Sequence, residues 1–165
     1  MISYTPEKTI DTELVKDRVS IFLAGSIEMG VAEKWQDRFV KDFSLTSKIV
    51  IYNPRRESWD SSWEQSINNP NFNFQVNWEM DYLLSSDVNV FYFDPNTKSP
   101  ITLLELGLVK DKKHVVVCCP DGFWRKGNVE IVCKKFGYHL VDSYNFMLAR
   151  TSIEITEAMI SKKNK

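Results

Sequence analysis

A chain of 165 residues, 43% hydrophobic and 26% charged, is long enough to bury a real core, and one domain over 1–165 is expected, with its body at about 19–142 and a closing helix at about 144–161. The 21 basic and 22 acidic residues are mixed along the chain, which argues against a nucleic-acid polymer as partner and for a small molecule. Neither a signal-peptide core nor an apolar run approaching the roughly 20 residues of a bilayer span is visible, so a cytoplasmic protein without membrane contact is expected.

Val19 to Ala24 (VSIFLA) predicts the first strand, and Gly25-Ser26 breaks it. Ala32, Trp35, Phe39 and Phe43 then recur at helical spacing, and Lys48 to Tyr52 (KIVIY) predicts the second strand. The stretch from Asn53 to Asn73 is long, polar and aromatic, with at most a helical turn around Trp63, and loops of that length in compact domains are commonly functional. A helix from about Phe74 to Ser85 precedes the third strand, Val88 to Phe93, which Asp94-Pro95-Asn96 closes with turn chemistry. Ile101, Leu104 and Leu108 make one face of the next helix. The fourth strand is His114 to Cys119, a helix follows over Asn128 to Lys135, and Tyr138 to Val141 predicts the fifth strand. From about Tyr144 to Ser161 a last helix carries Ile153, Ile155, Ala158, Met159 and Ile160.

Alternation of this kind predicts an α/β fold, a flavodoxin-like or Rossmann-like three-layer sandwich around a five-stranded parallel sheet. Such sheets bind ligands beyond the carboxyl ends of their strands at the topological switch point, which directs attention to the loops after the first and third strands. Cys118, Cys119 and Cys133 are odd in number, with neighbouring members pointing to opposite faces of a strand, and read as reduced core thiols. His114 and His139 are the only histidines and lie beside apolar strand residues, so no metal site is expected.

Three features carry chemistry. Gly25-Ser26 offers backbone N–H groups and a hydroxyl to an anion at a helix start, although a tight strand-to-helix turn demands such a glycine equally well. Glu105 is a lone carboxylate in the apolar run ITLLELGLV, bordering the face made by Ile101 and Leu104. Partial desolvation there raises its pKa and a nearby helix start lowers it; a solvent-facing glutamate is the competing reading. Glu79, beside Trp78 in QVNWEMDYLLSSD, is a second acid whose helix leads toward the third strand. If the two carboxyl groups converge they form a nucleophile and acid/base pair, as in retaining glycosidases, whose carboxyls stand about 5 Å apart.

The strings FLAGS (Phe22 to Ser26), QVNWE (Gln75 to Glu79) and SPITLLELG (Ser99 to Gly107), in this order and spacing, resemble the nucleoside 2-deoxyribosyltransferase superfamily from about Ser20 to Val141. CPDGFWRKGNVEIVC (Cys119 to Cys133) looks like a feature of one branch. The resemblance implies that Glu105, in its Glu-Leu-Gly motif, is the nucleophile, and that Glu79, eight positions before Asp87, takes a place where most members carry aspartate. Phe22 stands where members commonly have a tyrosine, so the hydroxyl that positions the nucleophile is missing unless Tyr92 or Tyr52 supplies it. Monophosphate-cleaving relatives use a Gly-Ser-Ile loop and a serine six residues before the nucleophile, matched here by Gly25, Ser26, Ile27 and Ser99. Asn53, Arg55 and Arg56 of NPRRESW would then face phosphate, whereas free-nucleoside transferases carry an acid for which Asp94 is the candidate. Trp59 and Trp78, with Trp63, Phe72 and Phe74, crowd one stretch and offer platforms for a base.

The implied function is N-glycosidic cleavage with transfer of a (deoxy)ribosyl group between nucleobases, without metal or organic cofactor, by a homo-oligomer acting on a nucleoside or nucleotide. Two alternatives stand beside it: hydrolysis of deoxynucleoside monophosphates or NAD-like dinucleotides, and a nucleotide-binding module without catalysis.

Overall fold

A computed structural model describes residues 1–27, 32–58 and 60–164. It contains β1 (Ile2–Tyr4), α1 (Thr12–Val15), β2 (Val19–Gly25), α2 (Trp35–Asp42), β3 (Ile49–Tyr52), α3 (Pro70–Ser85), β4 (Val88–Tyr92), α4 (Pro100–Leu108), β5 (His114–Cys118), α5 (Lys126–Phe136), β6 (His139–Val141) and α6 (Tyr144–Lys163). The strands form one parallel sheet of order β1-β3-β2-β4-β5-β6. Leaving out β1, this is the flavodoxin-like order. The sheet has six strands where the sequence predicts five. The additional one, β1, is an edge strand of three residues paired Ile2 to Val50, too short to announce itself by alternation.

Every residue of β3, β4 and β5 is buried, as expected for parallel strands covered on both faces and written as unbroken apolar runs. On one face, Phe22, Ala24, Phe91, Phe93, Val115, Val117 and Cys119 pack with Trp78 and Leu83 of α3, Leu106 and Val109 at α4, and Val129 and Cys133 of α5. The other face joins Ile21, Leu23, Val90, Val116 and Cys118 to Trp35 and Phe39 of α2 and to Met147, Ile155 and Ala158 of α6. The neighbouring Cys118 and Cys119 therefore serve opposite layers, and all three cysteines are free and buried.

Two helices differ from expectation. α3 starts at Pro70 instead of Phe74, because the Asn69 side chain accepts from Asn71 N and Phe72 N at 3.1 Å and Pro70 fits the first helical position. In α4 the apolar stripe faces outward: Ile101 and Leu104 are 61% and 63% exposed, while Thr102, Glu105 and Leu106 turn inward. None of the described helices is long and apolar enough to cross a membrane.

Candidate active site

The chain runs outward from β2 to β3 and then returns to place β4 on the other side of β2, so the switch point lies between the carboxyl ends of β2 and β4. There Ser26 N donates to Tyr92 O at 3.1 Å, and the Ser26 hydroxyl oxygen accepts from Asp94 N at 3.0 Å. Thr97 Oγ1 lies 2.9 Å from Ser26 Oγ and 2.8 Å from Ser99 Oγ, and the two serine hydroxyls are in direct hydrogen-bond contact. Three buried hydroxyls are thus gathered at the start of α4. Ser99 holds φ 48° and ψ 50°, the left-handed region, which costs a residue other than glycine about 1 kcal/mol or more. Pro100 occupies the first helical position, and Leu103 N bonds Ser99 O at 3.1 Å. Strain, hydroxyl cluster and positive helix end coincide, a combination suited to an anionic group of a ligand.

Gly25 has a reason within the fold. A Cβ on it would stand 2.6 Å from Tyr92 O and 2.7 Å from the Trp35 indole, so the close approach that requires glycine is made by β4 and α2.

Glu105 lies one turn into α4 on its inner face, 9% exposed. Loss of solvent pushes its carboxyl up to about 8, and the charge of Glu79 adds to the rise. Glu79, half-buried on α3, is pushed up to about 7 by the same loss of solvent, opposed by a 2.7 Å hydrogen bond from Gln75 Nε2 and by the Arg56 charge. Both carboxyls have lost solvent, and the charge of Glu79 bears on Glu105, a coupling under which one holds a proton while the other is ionised.

The remaining predicted residues divide. Asn53 is buried, and its Oδ1 accepts from Arg55 N at 2.9 Å, shaping the loop after β3. Arg55 donates to Glu33 O at 3.2 Å, Gln36 Oε1 at 3.4 Å and Ala32 O at 3.4 Å, so its guanidinium ties that loop to the start of α2. Arg56 instead lies over the Trp63 ring at 5.0 Å, 3.9 Å from Glu7. Asp94 is a buried turn residue, its Oδ1 accepting from Asn96 N at 2.9 Å and its Oδ2 from Glu33 N at 3.4 Å. Trp78 sits in the core, its ring tilted on Phe22 at 6.5 Å and Tyr82 at 4.7 Å. Trp59 lies outside the described residues.

Phe22 is fully buried, so apolar packing fills its place. Tyr52, stacked on Tyr82 at 4.0 Å, has its phenol pushed up to about 12 by burial, which leaves it neutral.

Sequence reasoning passed over Thr97 and Gln75. Thr97 joins the two serines, and Gln75 bridges Glu79 and the Pro54 carbonyl, the latter at 3.0 Å. The signal for Gln75 was its place four residues before Glu79, one helical turn away. Both histidines are elsewhere: His114, at the amino end of β5, meets Glu154 at 2.6 Å, and Glu154 also pairs with Arg150 and with His139 at 3.1 Å.

A family model described as nucleoside 2-deoxyribosyltransferase like matches residues 18–123, which includes the Ser26, Glu79, Ser99 and Glu105 positions. No curated protein matches the chain. Among solved structures, that of a conserved protein from Enterococcus faecalis V583 superimposes with a TM-score of 0.58 at 16% identity, over 82% of this chain and 98% of that one, a likeness of fold.

Proposed function

Because the chain belongs to the nucleoside 2-deoxyribosyltransferase-like family, we propose that it breaks the N-glycosidic bond of a nucleoside or nucleotide with Glu105 as nucleophile and Glu79 as proton donor. The observation that carries this reading is that the Glu79 and Glu105 carboxyls on α3 and α4 have both lost solvent and are coupled in charge, with the hydroxyl cluster at the start of the same helix that carries Glu105. Burial alone leaves the proton shared by the pair on Glu105, so the reacting form is the one in which that proton has moved to Glu79: the ionised Glu105 oxygen then bonds to C1′ as the C1′–N bond breaks, and the bond's electron pair stays on the base nitrogen, which takes its proton from Glu79. A second base, or water, then attacks C1′, gives a proton to the Glu79 carboxylate and releases Glu105. Positive charge developing at C1′ favours the ionised form of Glu105 in the transition state, where its desolvated setting strengthens the attraction.

Water as acceptor is the second reading. The clustered hydroxyls of Ser26, Thr97 and Ser99 at the start of α4 suit a 5′-phosphate, the mark of a monophosphate hydrolase. The outward apolar stripe of Ile101, Leu104 and Leu108 on α4 is best covered by a second copy of the chain, making a homo-oligomer.

Incubation with a panel of deoxynucleosides and their 5′-monophosphates, with and without an added free base, tests the reading by chromatography of the products. Base exchange defines a transferase, and release of free base and sugar defines a hydrolase. Intact substrates throughout the panel would refute glycosidic cleavage.

A further inference from the structure

The loop after β3 is held at two points. Gln75 fixes its beginning through the Pro54 carbonyl, in the same reach that bonds Glu79. Its next turn is fixed by Glu7, from the segment between β1 and α1: the Glu7 carboxylate accepts from Ser58 N at 3.2 Å, from Glu57 N at 3.4 Å and from the Ser58 hydroxyl, and its Oε1 lies 3.9 Å from Arg56 Nε. These bonds, led by the Ser58 hydroxyl, hold the Glu7 carboxyl below its ordinary value, so the clasp is made by the ionised form. Arg56 Nε is buried with no hydrogen-bond partner, and the guanidinium is confined between Glu7 and the Trp63 ring. Residue 7 precedes the 18–123 stretch that the family model matches.

We propose that Glu7 is a positioning residue: it clasps the turn at Glu57 and Ser58 and thereby holds the Arg56 guanidinium toward Glu79, so that the chain's amino-terminal segment sets the proton affinity of the acid in the site. Gln75 Nε2 donates to Glu79 Oε1 at 2.7 Å and to the Pro54 carbonyl at 3.0 Å, so the loop that carries Arg56 two residues later is tied to the acid, and the charges coupled to Glu79 are Arg56 from that loop and Glu105 from α4. Arg56 favours the ionised form of Glu79, and Glu105 opposes it. If the clasp opens, Arg56 follows Ser58 away and Glu79 keeps its proton to higher pH. Removing the Glu7 charge with Arg56 left in place has the opposite sign, since one negative charge fewer makes ionisation of Glu79 easier. The direction of the change therefore separates positioning from a simple charge effect.

The inference rests on Glu79 serving as the acid, but its test reads a carboxyl directly and does not need turnover, so its failure is distinct from failure of the proposed reaction. In protein labelled with 13C at glutamate carboxyls, with Glu79 assigned from Glu79→Gln, the Glu79 midpoint is followed by NMR in wild type, Glu7→Ala, Arg56→Ala and the double variant. Glu7→Ala should raise the midpoint by about half a pH unit, less than the ~1 to 3 units of an opposite charge in direct contact, because Arg56 makes its ion pair with Glu7 and not with Glu79. Arg56→Ala should raise it at least as far, and adding Glu7→Ala to Arg56→Ala should raise it no further. Glu7→Asp, which keeps the charge, should restore part of the wild-type value. An unchanged or lowered midpoint in Glu7→Ala, or an equal rise with and without Arg56, would overturn the proposal.

Discussion

Glu105→Gln separates what the carboxyl does for the site from what its charge does to the fold. Burial moves the group from 4.5 to about 8, and at 1.36 kcal/mol per pH unit this sets a ceiling of about 5 kcal/mol on the pH-dependent stability it carries. Below pH 4.5 the carboxyl is protonated both folded and unfolded, and the full stability is present. As pH rises, the unfolded chain ionises first, and above about 8 the folded chain must hold a desolvated charge, so stability is lost across this window. Relaxation and water entry around the charged form reduce the loss to about 2 or 3 kcal/mol. Glutamine has nearly the same shape and never ionises. Urea unfolding followed by tryptophan fluorescence should therefore give Glu105→Gln a stability close to wild type at pH 4.5 and about 2 kcal/mol above it at pH 9, with unchanged m-values. The same difference between the two proteins at both pH values would refute the claim that this carboxyl is desolvated.

A reaction that needs one proton on the Glu79 and Glu105 pair should show a bell-shaped pH dependence of kcat/KM with its maximum between about 7 and about 8, and a flat profile from pH 5 to 9 would exclude the pair as the working acid and nucleophile. Gly25→Ala should destabilise the protein by about 2 kcal/mol in urea unfolding, since its Cβ meets the Tyr92 carbonyl and the Trp35 ring, and wild-type stability would mean that β2 and β4 lie further apart at that point. Ser26→Ala should raise KM for a 5′-monophosphate much more than for the matching nucleoside; equal changes would remove phosphate from the hydroxyl cluster.

The layers were legible in the sequence because buried parallel strands are written as unbroken apolar runs, and VSIFLA, VNVFYF and HVVVCC needed only Gly25-Ser26 and Asp94-Pro95 as punctuation. Pattern is a weaker guide where an element is short or where a helix shows its apolar side to solvent. β1 draws its definition from pairing with β3, not from its own three residues. In α4, spacing alone assigns Ile101, Leu104 and Leu108 to one face, and only the packing of Leu106 and Val109 on the sheet shows that the opposite face, with Glu105, turns inward. Glu105 and Glu79 were therefore identifiable as the chemically unusual residues, and their shared burial was not. Arg55 and Arg56 look equivalent as neighbours in the sequence. Their difference comes from tertiary partners, Glu33, Gln36 and Ala32 for one and Glu7 with Trp63 for the other.

The proposed chemistry requires a covalent bond between Glu105 and the sugar, and trapping that bond is its most direct test. A 2′-fluorinated nucleoside or nucleotide slows formation and breakdown of the oxocarbenium-like transition state, so the glycosyl-enzyme should accumulate. Intact-mass measurement should then show wild-type protein heavier by one fluorinated sugar unit, peptide analysis should place the addition on Glu105, and Glu105→Gln should gain no mass. An adduct on another residue, or base release by Glu105→Gln at a rate near wild type, would contradict the assignment of Glu105 as nucleophile.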